Sequence, residues 1–412
     1  MSADVVIAGA GQAAAQLALS LRSRGFAGSI AMIGEEPHPP YERPPLSKDY
    51  LAGKREAAKL FLRKPEAWAE RQVQLMTGQR VQSVSPETKQ VKLADGSAVG
   101  YGWLVWATGG RPRPLPVPGA NLAGVHVIRG IADIDGLKQD LGSPRRTVII
   151  GGGYIGLEAA AVLRSLGHSV TLVEALPRLL ARVTSGIVSQ FFLDLHRNHG
   201  VEIHLGAAVS ALCGKTRVEG VALASGDIIP ADLVIVGIGI QPNIEPLADA
   251  GLPCPNGVAI DEHCRTKDPH ILAIGDCALH PSRYAGQPIR LESVQNAVDQ
   301  AKTACETILG SPVPYAALPW FWSDQYDVKM QSLGLQAGCD QIVTRGDPVR
   351  GPFSVAYLRE NRLIALDCLN APRDFIQGKP LIASGAVIDA GRLADAAVDL
   401  KLLGLSAEPP RD

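Results

Sequence analysis

Two glycine-rich segments, one at the start of the chain and one near its middle, carry the clearest chemical signal. The first reads Gly9-Ala10-Gly11-Gln12-Ala13-Ala14, and the second reads Gly151-Gly152-Gly153-Tyr154-Ile155-Gly156. Each follows an apolar run and precedes a stretch rich in alanine and leucine, which predicts a strand, a tight turn and a helix. Such glycines let the backbone approach a pyrophosphate, and the helix start offers it N–H groups and a positive dipole end. Two copies predict two dinucleotides, and therefore electron transfer from one to the other.

An acidic residue follows the second predicted strand of each of these units. Glu35 and Glu174 stand where a carboxylate accepts hydrogen bonds from the ribose hydroxyls of a dinucleotide. Glu174 therefore favours NAD over NADP, because its charge would repel a 2′-phosphate. Arg178 lies close enough in sequence to leave strict preference for NAD open.

Asp276 ends a later apolar run that reads Ile271-Leu272-Ala273-Ile274-Gly275. An acid at the end of such a strand is placed to hydrogen-bond the ribityl hydroxyls of a flavin lying along the sheet edge. It is equally compatible with an N-cap for the turn that follows.

The composition is that of an ordinary globular protein. The chain has 412 residues, is 46% hydrophobic and 20% charged, and carries a net charge of −1, which predicts two or three domains and disfavours a general nucleic-acid binder. The apolar stretch 5–21 lacks the basic start and cleavage site of a signal peptide. No apolar run is long enough to span a membrane, and we expect a cytoplasmic protein.

The seven cysteines are spaced too irregularly for a metal or redox motif. No two of them form a C-x-x-C or C-x-x-x-x-C pair, so the sequence indicates no zinc site, no iron–sulfur cluster and no local dithiol. Small thiols in a reducing compartment explain them better.

The order of predicted elements divides the chain into domains. We expect an α/β fold with two Rossmann-like dinucleotide-binding domains, the first of them discontinuous, and a C-terminal α+β domain with an antiparallel sheet. The first domain should comprise 1–110 and 241–319, the second 111–240 and the third 320–405, with a flexible tail at 406–412. In the third domain we expect strands at 331–335, 353–358 and 363–368 and helices at 381–386 and 394–400.

Several segments resemble a known family. The sequence contains Arg43-Pro44-Pro45-Leu46-Ser47-Lys48 and Trp320-Phe321-Trp322-Ser323-Asp324-Gln325 in addition to the glycine loops, 107–113 and 273–277. With these the chain resembles the two-dinucleotide flavoproteins that include glutathione reductase, and in particular the ferredoxin reductases of the putidaredoxin reductase type. The resemblance covers about the first 325 residues. It implies FAD on the first loop and NADH on the second.

The resemblance also implies the residues of the site. Lys48 and Glu158 would pair near the flavin N5, Tyr154 would cover the nicotinamide pocket, and Trp322 would lie beside the flavin. The implied FAD contacts are Gly9, Gly11, Ala13, Ala14, Glu35, Arg43, Lys48, Val81, Ala107, Thr108, Gly109, Arg129, Asp276 and Val294. The implied NAD contacts are Gly151, Gly153, Tyr154, Ile155, Gly156, Glu174, Arg182 and Gly239. Other interpretations stay open: a helix-start acid for Glu158, and packed core aromatics for Tyr154 and Trp322.

The segment that leads to the flavin lysine decides the function that we expect. In the disulfide-reducing members of the family it carries a cysteine pair, whereas 36–48 contains no cysteine here. Electrons must then leave from the flavin itself, which can take up two and release them singly. We therefore expect transfer from NADH through FAD to a small [2Fe–2S] ferredoxin that supplies a cytochrome P450 or a ring-hydroxylating oxygenase.

Three alternatives remain at this point: a rubredoxin reductase, a diaphorase-like NADH oxidase, and a redox-controlled binding protein similar to apoptosis-inducing factor. An acidic ferredoxin would need a basic docking rim. Arg63, Arg290 and Lys329 are the candidates for that rim.

Overall fold

The computed structural model describes residues 1–142 and 145–404, so the tail expected at 406–412 lies outside the described residues. The chain divides into two compact units. Unit 1 is discontinuous and consists of Met1–Arg43, Glu56–Arg111 and Ile240–Ala317. Unit 2 consists of Pro44–Arg55, Pro112–Gly239 and the chain from Leu318 onward.

The first third of the chain begins with the strand, turn and helix expected around the first glycine loop. Short 3₁₀ turns occupy Pro44–Ser47 and Ala57–Leu60. The helices and strands are β1 (Ser2–Ala8), α1 (Gln12–Ser23), β2 (Ile30–Gly34), α2 (Glu66–Glu70), β3 (Val73–Thr77), β4 (Val81–Ser85), β5 (Gln90–Leu93), β6 (Ala98–Trp106) and β7 (Gly110–Pro112).

The middle of the chain repeats this arrangement around the second loop. Its elements are β8 (Val125–Val127), α3 (Ile131–Leu141), β9 (Arg146–Ile150), α4 (Tyr154–Ser165), β10 (Ser169–Glu174), α5 (Gly186–Asn198), β11 (Glu202–Leu205), β12 (Val209–Cys213), β13 (Gly220–Leu223), β14 (Ile228–Pro230) and β15 (Leu233–Val236).

The chain then returns to unit 1 before entering its last segment. The returning elements are β16 (Ile240–Pro242), α6 (Glu245–Asp249), β17 (Val258–Ala259), β18 (Ile271–Ala273), β19 (Ala278–Ser282), β20 (Gln287–Ile289) and α7 (Val294–Ile308). The last segment contains β21 (Trp320–Gln325), β22 (Val328–Gly334), β23 (Gln341–Gly346), β24 (Phe353–Arg359), β25 (Arg362–Leu369), α8 (Pro372–Ser384) and α9 (Ala390–Ala394). Two more 3₁₀ turns lie at Gly275–Cys277 and Leu400–Leu402.

The main sheet of unit 1 has the order β3-β2-β1-β6-β5-β4, and β18 also pairs with β6. β3, β2, β1, β6 and β18 are parallel, with Ile7 opposite Met32 and Val105. All five residues of β2 are buried, as expected of a strand covered on both faces. The carboxyl ends of β1 and β6 therefore meet at one edge, where the first glycine loop begins.

Unit 2 contains a parallel sheet of order β11-β10-β9-β15-β8 and an antiparallel sheet of order β21-β22-β25-β24-β23. Helix α8 packs against the antiparallel sheet closely enough that a Cβ on Gly378 would lie 2.8 Å from Leu366 Cδ2. The expected α/β class, with two glycine-loop sheets and a C-terminal antiparallel sheet, is confirmed.

The predicted helices of the last segment were wrong in position. Helix α8 begins nine residues before the expected 381, because Pro372 at its first turn fits the fixed φ of proline, and it ends at Gly385, whose φ is +63°. The stretch expected as a helix at 394–400 is largely irregular. Arg345 donates hydrogen bonds to the carbonyl groups of 393, 395, 396 and 398 there, which replaces helical pairing.

In the described part of the chain, no helix has both the length and the apolar character needed to cross a membrane.

Candidate functional site

The first glycine loop has a backbone that only glycine adopts easily. Gly9 has a φ of +111°, and a Cβ there would lie 2.3 Å from the carbonyl oxygen of Ala107. Gly11 precedes α1, and none of the described atoms lies within 4 Å of the position its Cβ would take. No described side chain caps α1, so its first N–H groups face an open cradle suited to a phosphate.

The turn that carries Asp276 lies against the start of α1. A Cβ on Gly275, which has a φ of +79°, would lie 3.2 Å from the Cβ of Ala13. It would also lie 3.9 Å from the Cβ of Ala297, one turn after Val294 on α7. Within unit 1 the fold therefore brings Ala13, Asp276 and the first turn of α7 to the same edge as the glycine loop.

The segment after β6 is held by a residue to which the sequence analysis gave no role. Thr108 Oγ1 donates to the carbonyl oxygen of Asn243 at 2.8 Å, and Asn243 Nδ2 returns a bond to the Thr108 carbonyl at 3.1 Å. The Trp106 indole donates to the same Asn243 carbonyl at 2.7 Å. Ala107 is buried and Gly109 has a φ of +60°. The stretch 107–109 is therefore held in place at the edge of the sheet where the first glycine loop begins.

Glu35 and Arg43 differ in their surroundings. Glu35 follows β2 and keeps 69% of its side chain exposed, with Arg80 at 3.9 Å. Arg43 is bound to Glu36 at 2.5 Å and to the Tyr41 hydroxyl at 3.0 Å. Burial tends to raise the pKa of Glu36, but Arg43 and Tyr41 outweigh it and hold that pKa below its usual value.

Four of the implied FAD contacts are core residues, and two lie in unit 2. The hydrophobic packing of unit 1 buries Ala13, Ala14, Val81 and Ala107. Lys48 and Arg129 belong to unit 2, and the backbone N–H of Arg129, two residues before α3, donates to Asp133 Oδ2 at 3.1 Å.

The second glycine loop repeats the first. Gly151 also has a φ of +111°, and a Cβ there would lie 2.4 Å from the Gly237 carbonyl oxygen. A Cβ on Gly156 would lie 2.2 Å from the Gly151 carbonyl oxygen, so α4 packs closely on the loop. The Cβ positions of Gly153 and Gly239 have no described atom within 4 Å. Ile155, next on α4, is 42% exposed.

Glu174 is positioned by backbone groups of the second loop region. Its Oε2 accepts from the Gly152 N–H at 2.6 Å and its Oε1 accepts from the Leu176 N–H at 2.7 Å. Each carboxylate oxygen retains a second lone pair for a ribose hydroxyl. The carboxylate is thus held at the end of β10, beside the loop.

Arg178 is bound by neighbouring groups of the protein. Its guanidinium donates to the carbonyl oxygens of Thr184 and Ala181, each at 2.8 Å, and to Ser189 Oγ at 2.7 Å. This arginine therefore fixes the loop before α5, whereas the implied NAD contact Arg182 is exposed on the same loop.

Lys48 and Glu158 meet in unit 2. Lys48 Nζ lies 2.8 Å from Glu158 Oε2, and the side chains are 19% and 3% exposed. Ser47 Oγ donates to the same oxygen at 2.5 Å, and Ser323 Oγ donates to Oε1 at 2.6 Å. The buried carboxylate thus accepts from two hydroxyls and an ammonium group, an arrangement that suits its ionised form. The two serines were not predicted as site residues, although both belong to the segments that carry the family resemblance.

The first residue of α4 packs against the C-terminal sheet. The rings of Tyr154 and Phe321 lie 4.6 Å apart, and burial raises the pKa of Tyr154 well above its usual value. Tyr154 is therefore a neutral phenol at physiological pH.

Trp322 lies on the other face of β21. Phe321 and Ser323 contact α4, whereas the Trp322 ring lies 5.6 Å from Trp320, which packs on Phe375 of α8. Alternation along a strand places neighbouring residues on opposite faces. Trp322 is thus half-buried among aromatic rings, away from the Glu158 carboxylate.

A second buried carboxylate links the loop before α5 to the C-terminal sheet. Asp367 accepts from Thr184 at 2.5 Å, from Tyr357 at 2.6 Å and from Ser332 at 2.6 Å. Burial raises the pKa of Asp367. No local pattern predicts this cluster, because a single acidic residue in a strand gives no indication of its hydrogen-bond partners.

The three basic residues predicted for docking have different exposure. Arg63 and Lys329 are exposed. The prediction for Arg290 is wrong: its side chain is only 10% exposed, pairs with Glu292 at 2.6 Å and donates to the Asp276 carbonyl oxygen at 2.9 Å.

Comparison with known proteins agrees with this geometry. The model of the pyridine nucleotide-disulphide oxidoreductase family matches residues 3–301, and the reductase C-terminal model matches residues 320–404. The chain is 51% identical to a ferredoxin–NAD(P)(+) reductase of Sphingomonas sp. over 391 residues, which are 94% of each chain.

Two solved structures are also similar. The ferredoxin reductase of the CYP199A2 system from Rhodopseudomonas palustris has a TM-score of 0.94 and 41% identity over 97% of this chain and 99% of that one. The covalent putidaredoxin reductase–putidaredoxin complex has the same TM-score and identity over 97% of each chain. With its two open glycine cradles and its C-terminal sheet, the chain therefore belongs to the pyridine nucleotide-disulphide oxidoreductase family.

Proposed function

We propose that this chain is an FAD-dependent ferredoxin reductase that passes electrons from NADH to a small [2Fe–2S] ferredoxin, which in turn supplies a cytochrome P450 or a ring-hydroxylating oxygenase. The observation that carries the proposal is the pair of loops with one backbone geometry, Gly9 and Gly151 both at φ +111°. Relatives described as ferredoxin reductases over nearly the whole chain support the choice of acceptor.

The first cradle fits FAD. A Cβ at Gly9 would collide with Ala107, and the space in front of Gly11 is open toward α1. We propose that this loop holds the pyrophosphate and that Asp276, next to Ala13, accepts from the ribityl hydroxyls. Glu35, Arg43, Thr108, Gly109 and Val294 of unit 1 complete this part of the site in the proposal. The buried residues Ala13, Ala14, Val81 and Ala107 would act through packing.

The second cradle fits NADH. Gly153 and Gly239 leave open space at the start of α4 and after β15, and Glu174 is held where it can accept from a ribose. Because Arg178 is occupied by Thr184, Ala181 and Ser189, it is not positioned to pair with a 2′-phosphate. We therefore propose NADH as the electron donor, with Arg182 and Ile155 at the rim of its site.

The Lys48–Glu158 pair supplies the fixed charge of the site. Bound FAD would supply the conversion of a hydride into single electrons. Glu158 Oε2 lies 2.8 Å from the Lys48 ammonium group, and this group offers a positive charge that would stabilise negative charge developing beside it. Buried and neutral Tyr154 would shield the nicotinamide side of this pair from water.

Thiol chemistry has no place in this proposal. All seven cysteines are free thiols in the described chain, and none lies in 36–48. Burial raises the pKa of Cys264, Cys277, Cys305 and Cys368, which makes these thiols poor nucleophiles. The free thiols are also the support for the proposed cytoplasmic location.

Turnover with different acceptors separates this proposal from its alternatives. We expect fast NADH-dependent reduction of a [2Fe–2S] ferredoxin and slow reduction of rubredoxin and oxygen. Faster turnover with rubredoxin or oxygen would favour those reductase activities instead. NADH-dependent dimerisation with negligible turnover would favour a redox-controlled binding protein.

A further inference from the structure

A line of buried polar side chains continues from Glu158 away from Lys48. Ser323 donates to Glu158 Oε1, and Gln325 Nε2 donates to Ser323 Oγ at 3.2 Å. Gln325 Oε1 in turn lies 2.8 Å from His196 Nε2 on α5. Ser323 and Gln325 are 1% exposed and His196 is fully buried. These polar groups are shielded from water, so their hydrogen bonds are costly to leave unmade.

The direction of these hydrogen bonds is fixed by the groups involved. An amide oxygen only accepts, so His196 must donate to Gln325 through Nε2. Burial lowers the pKa of His196 to about 4, so the ring is neutral and its Nδ1 is left to accept from the Tyr326 hydroxyl at 3.4 Å. Gln325 then donates to Ser323, whose single hydrogen is left for Glu158. Every donor points toward the carboxylate.

The strand that carries Ser323 and Gln325 ends in a strained turn clamped by α5. Tyr326, at the tip between β21 and β22, has a φ of +54°, which is unfavourable for a tyrosine. Its ring stacks on His199 at 3.7 Å with an interplanar angle of 14°, and lies 5.1 Å from His196. Helix α5 thus fixes the hairpin at its tip and at Gln325.

We propose that Ser323, Gln325 and His196 form a positioning chain that orients the Glu158 carboxylate as the acceptor for Lys48. Cofactor binding can be explained without these hydrogen bonds. The role of the positioning chain rests on the proposed function of the Lys48–Glu158 pair. In this proposal α5 and β21 position the carboxylate that pairs with Lys48, although Lys48 lies on neither element.

The state of Lys48 can be read without turnover. The full-length protein as purified is treated with a limiting acylating reagent, and the acylation rate of Lys48 is measured by peptide mass spectrometry relative to exposed Lys54. An amine reacts only after losing its proton, and an adjacent carboxylate opposes that loss. We expect Glu158→Gln to raise the Lys48 rate about tenfold, and Ser323→Ala and Gln325→Leu to raise it by about threefold or more.

Matched variants distinguish orientation from general loosening. Ser323→Thr keeps the hydroxyl and should restore the wild-type ratio. Gln341→Leu, at an exposed position of β23, should leave the ratio unchanged. Melting temperatures are compared first, and Gln325→Met replaces the leucine variant if that one unfolds.

A wild-type ratio of Lys48 to Lys54 acylation in either Ser323→Ala or Gln325→Leu overturns the proposal, because the positioning chain requires the hydrogen bonds of both residues. An unchanged ratio in Glu158→Gln overturns it as well. A colourless protein would reject the proposed function but leave this ratio readable, so the two failures are distinguishable.

Discussion

The ammonium nitrogen of Lys48 lies 2.8 Å from Glu158 Oε2, within a site where only 3% of the glutamate side chain is exposed. A buried carboxylate without a partner is strongly disfavoured. The burial of Glu158 is therefore tolerated because the fold brings Lys48 and the two serines that donate to Glu158 into contact with its carboxylate.

Removal of the lysine charge tests its role in the reaction. We expect Lys48→Met to slow NADH-dependent flavin reduction by about a hundredfold, since a fixed charge aimed at developing negative charge contributes on that scale. Stopped-flow absorbance measures the rate. Lys54→Met, at an exposed position, is the control. A reduction rate within about twofold of wild type would contradict the assignment.

Coenzyme preference should depend on Glu174 and not on Arg178. Glu174→Gln removes the charge that repels a 2′-phosphate while keeping an oxygen for the backbone N–H groups. We expect the ratio of kcat/KM for NADPH to that for NADH to rise about tenfold.

Arg178→Lys serves as the contrasting variant in the same assay. It should lower the melting temperature, because it removes donors from the loop before α5, and leave the coenzyme ratio unchanged. A large loss of NADPH use in this variant would mean that Arg178 turns outward to bind phosphate.

The buried His196 predicts a pH-dependent loss of stability. Burial lowers its pKa from 6.5 to about 4 in the folded protein, so the unfolded chain binds a proton more readily. The contribution of the neutral His196 ring to the free energy of unfolding is present above pH 6.5 and is lost as the pH falls toward 4. Between about pH 7.5 and pH 5 the wild type should lose about 2 kcal/mol more free energy of unfolding than His196→Gln.

Denaturant unfolding at several pH values measures this difference. His280, whose pKa burial also lowers to about 4, contributes equally to both proteins. His204→Gln, in a half-exposed strand position, should keep the full wild-type slope. Equal slopes in wild type and His196→Gln would show that the ring is protonated or hydrated in the folded state.

Docking of an acidic ferredoxin should be sensitive to the exposed basic residues. We expect Arg63→Glu or Lys329→Glu to raise the KM for ferredoxin by about threefold to tenfold, more at low salt, because rim charges act mainly on association. Ferricyanide reduction should stay unchanged. Lys401→Glu is the control, and an equal effect of all three variants would indicate only a general charge effect.

The elements around both glycine loops were predictable because local patterns determine them. The sequence predicts a strand before each loop and a helix after it, and β1, α1, β9 and α4 occupy those places. An apolar run followed by glycines constrains the backbone directly, so a short window of sequence contains the information.

The partners of Glu158 could not be predicted in the same way. Ser47 and Ser323 lie 111 and 165 positions from it, and no local pattern relates residues so far apart. The helix predicted at 394–400 was wrong for a related reason. Arg345, a distant residue of β23, donates hydrogen bonds to carbonyl groups that a helix would use.

Anaerobic titration of the purified protein with NADH tests whether electrons pass from NADH through a bound flavin to ferredoxin. We expect a yellow protein whose flavin absorbance bleaches with one equivalent of NADH and returns as oxidised [2Fe–2S] ferredoxin is added in two one-electron equivalents. A colourless protein that takes up no FAD, or a flavin that NADH reduces but ferredoxin cannot reoxidise, would contradict it.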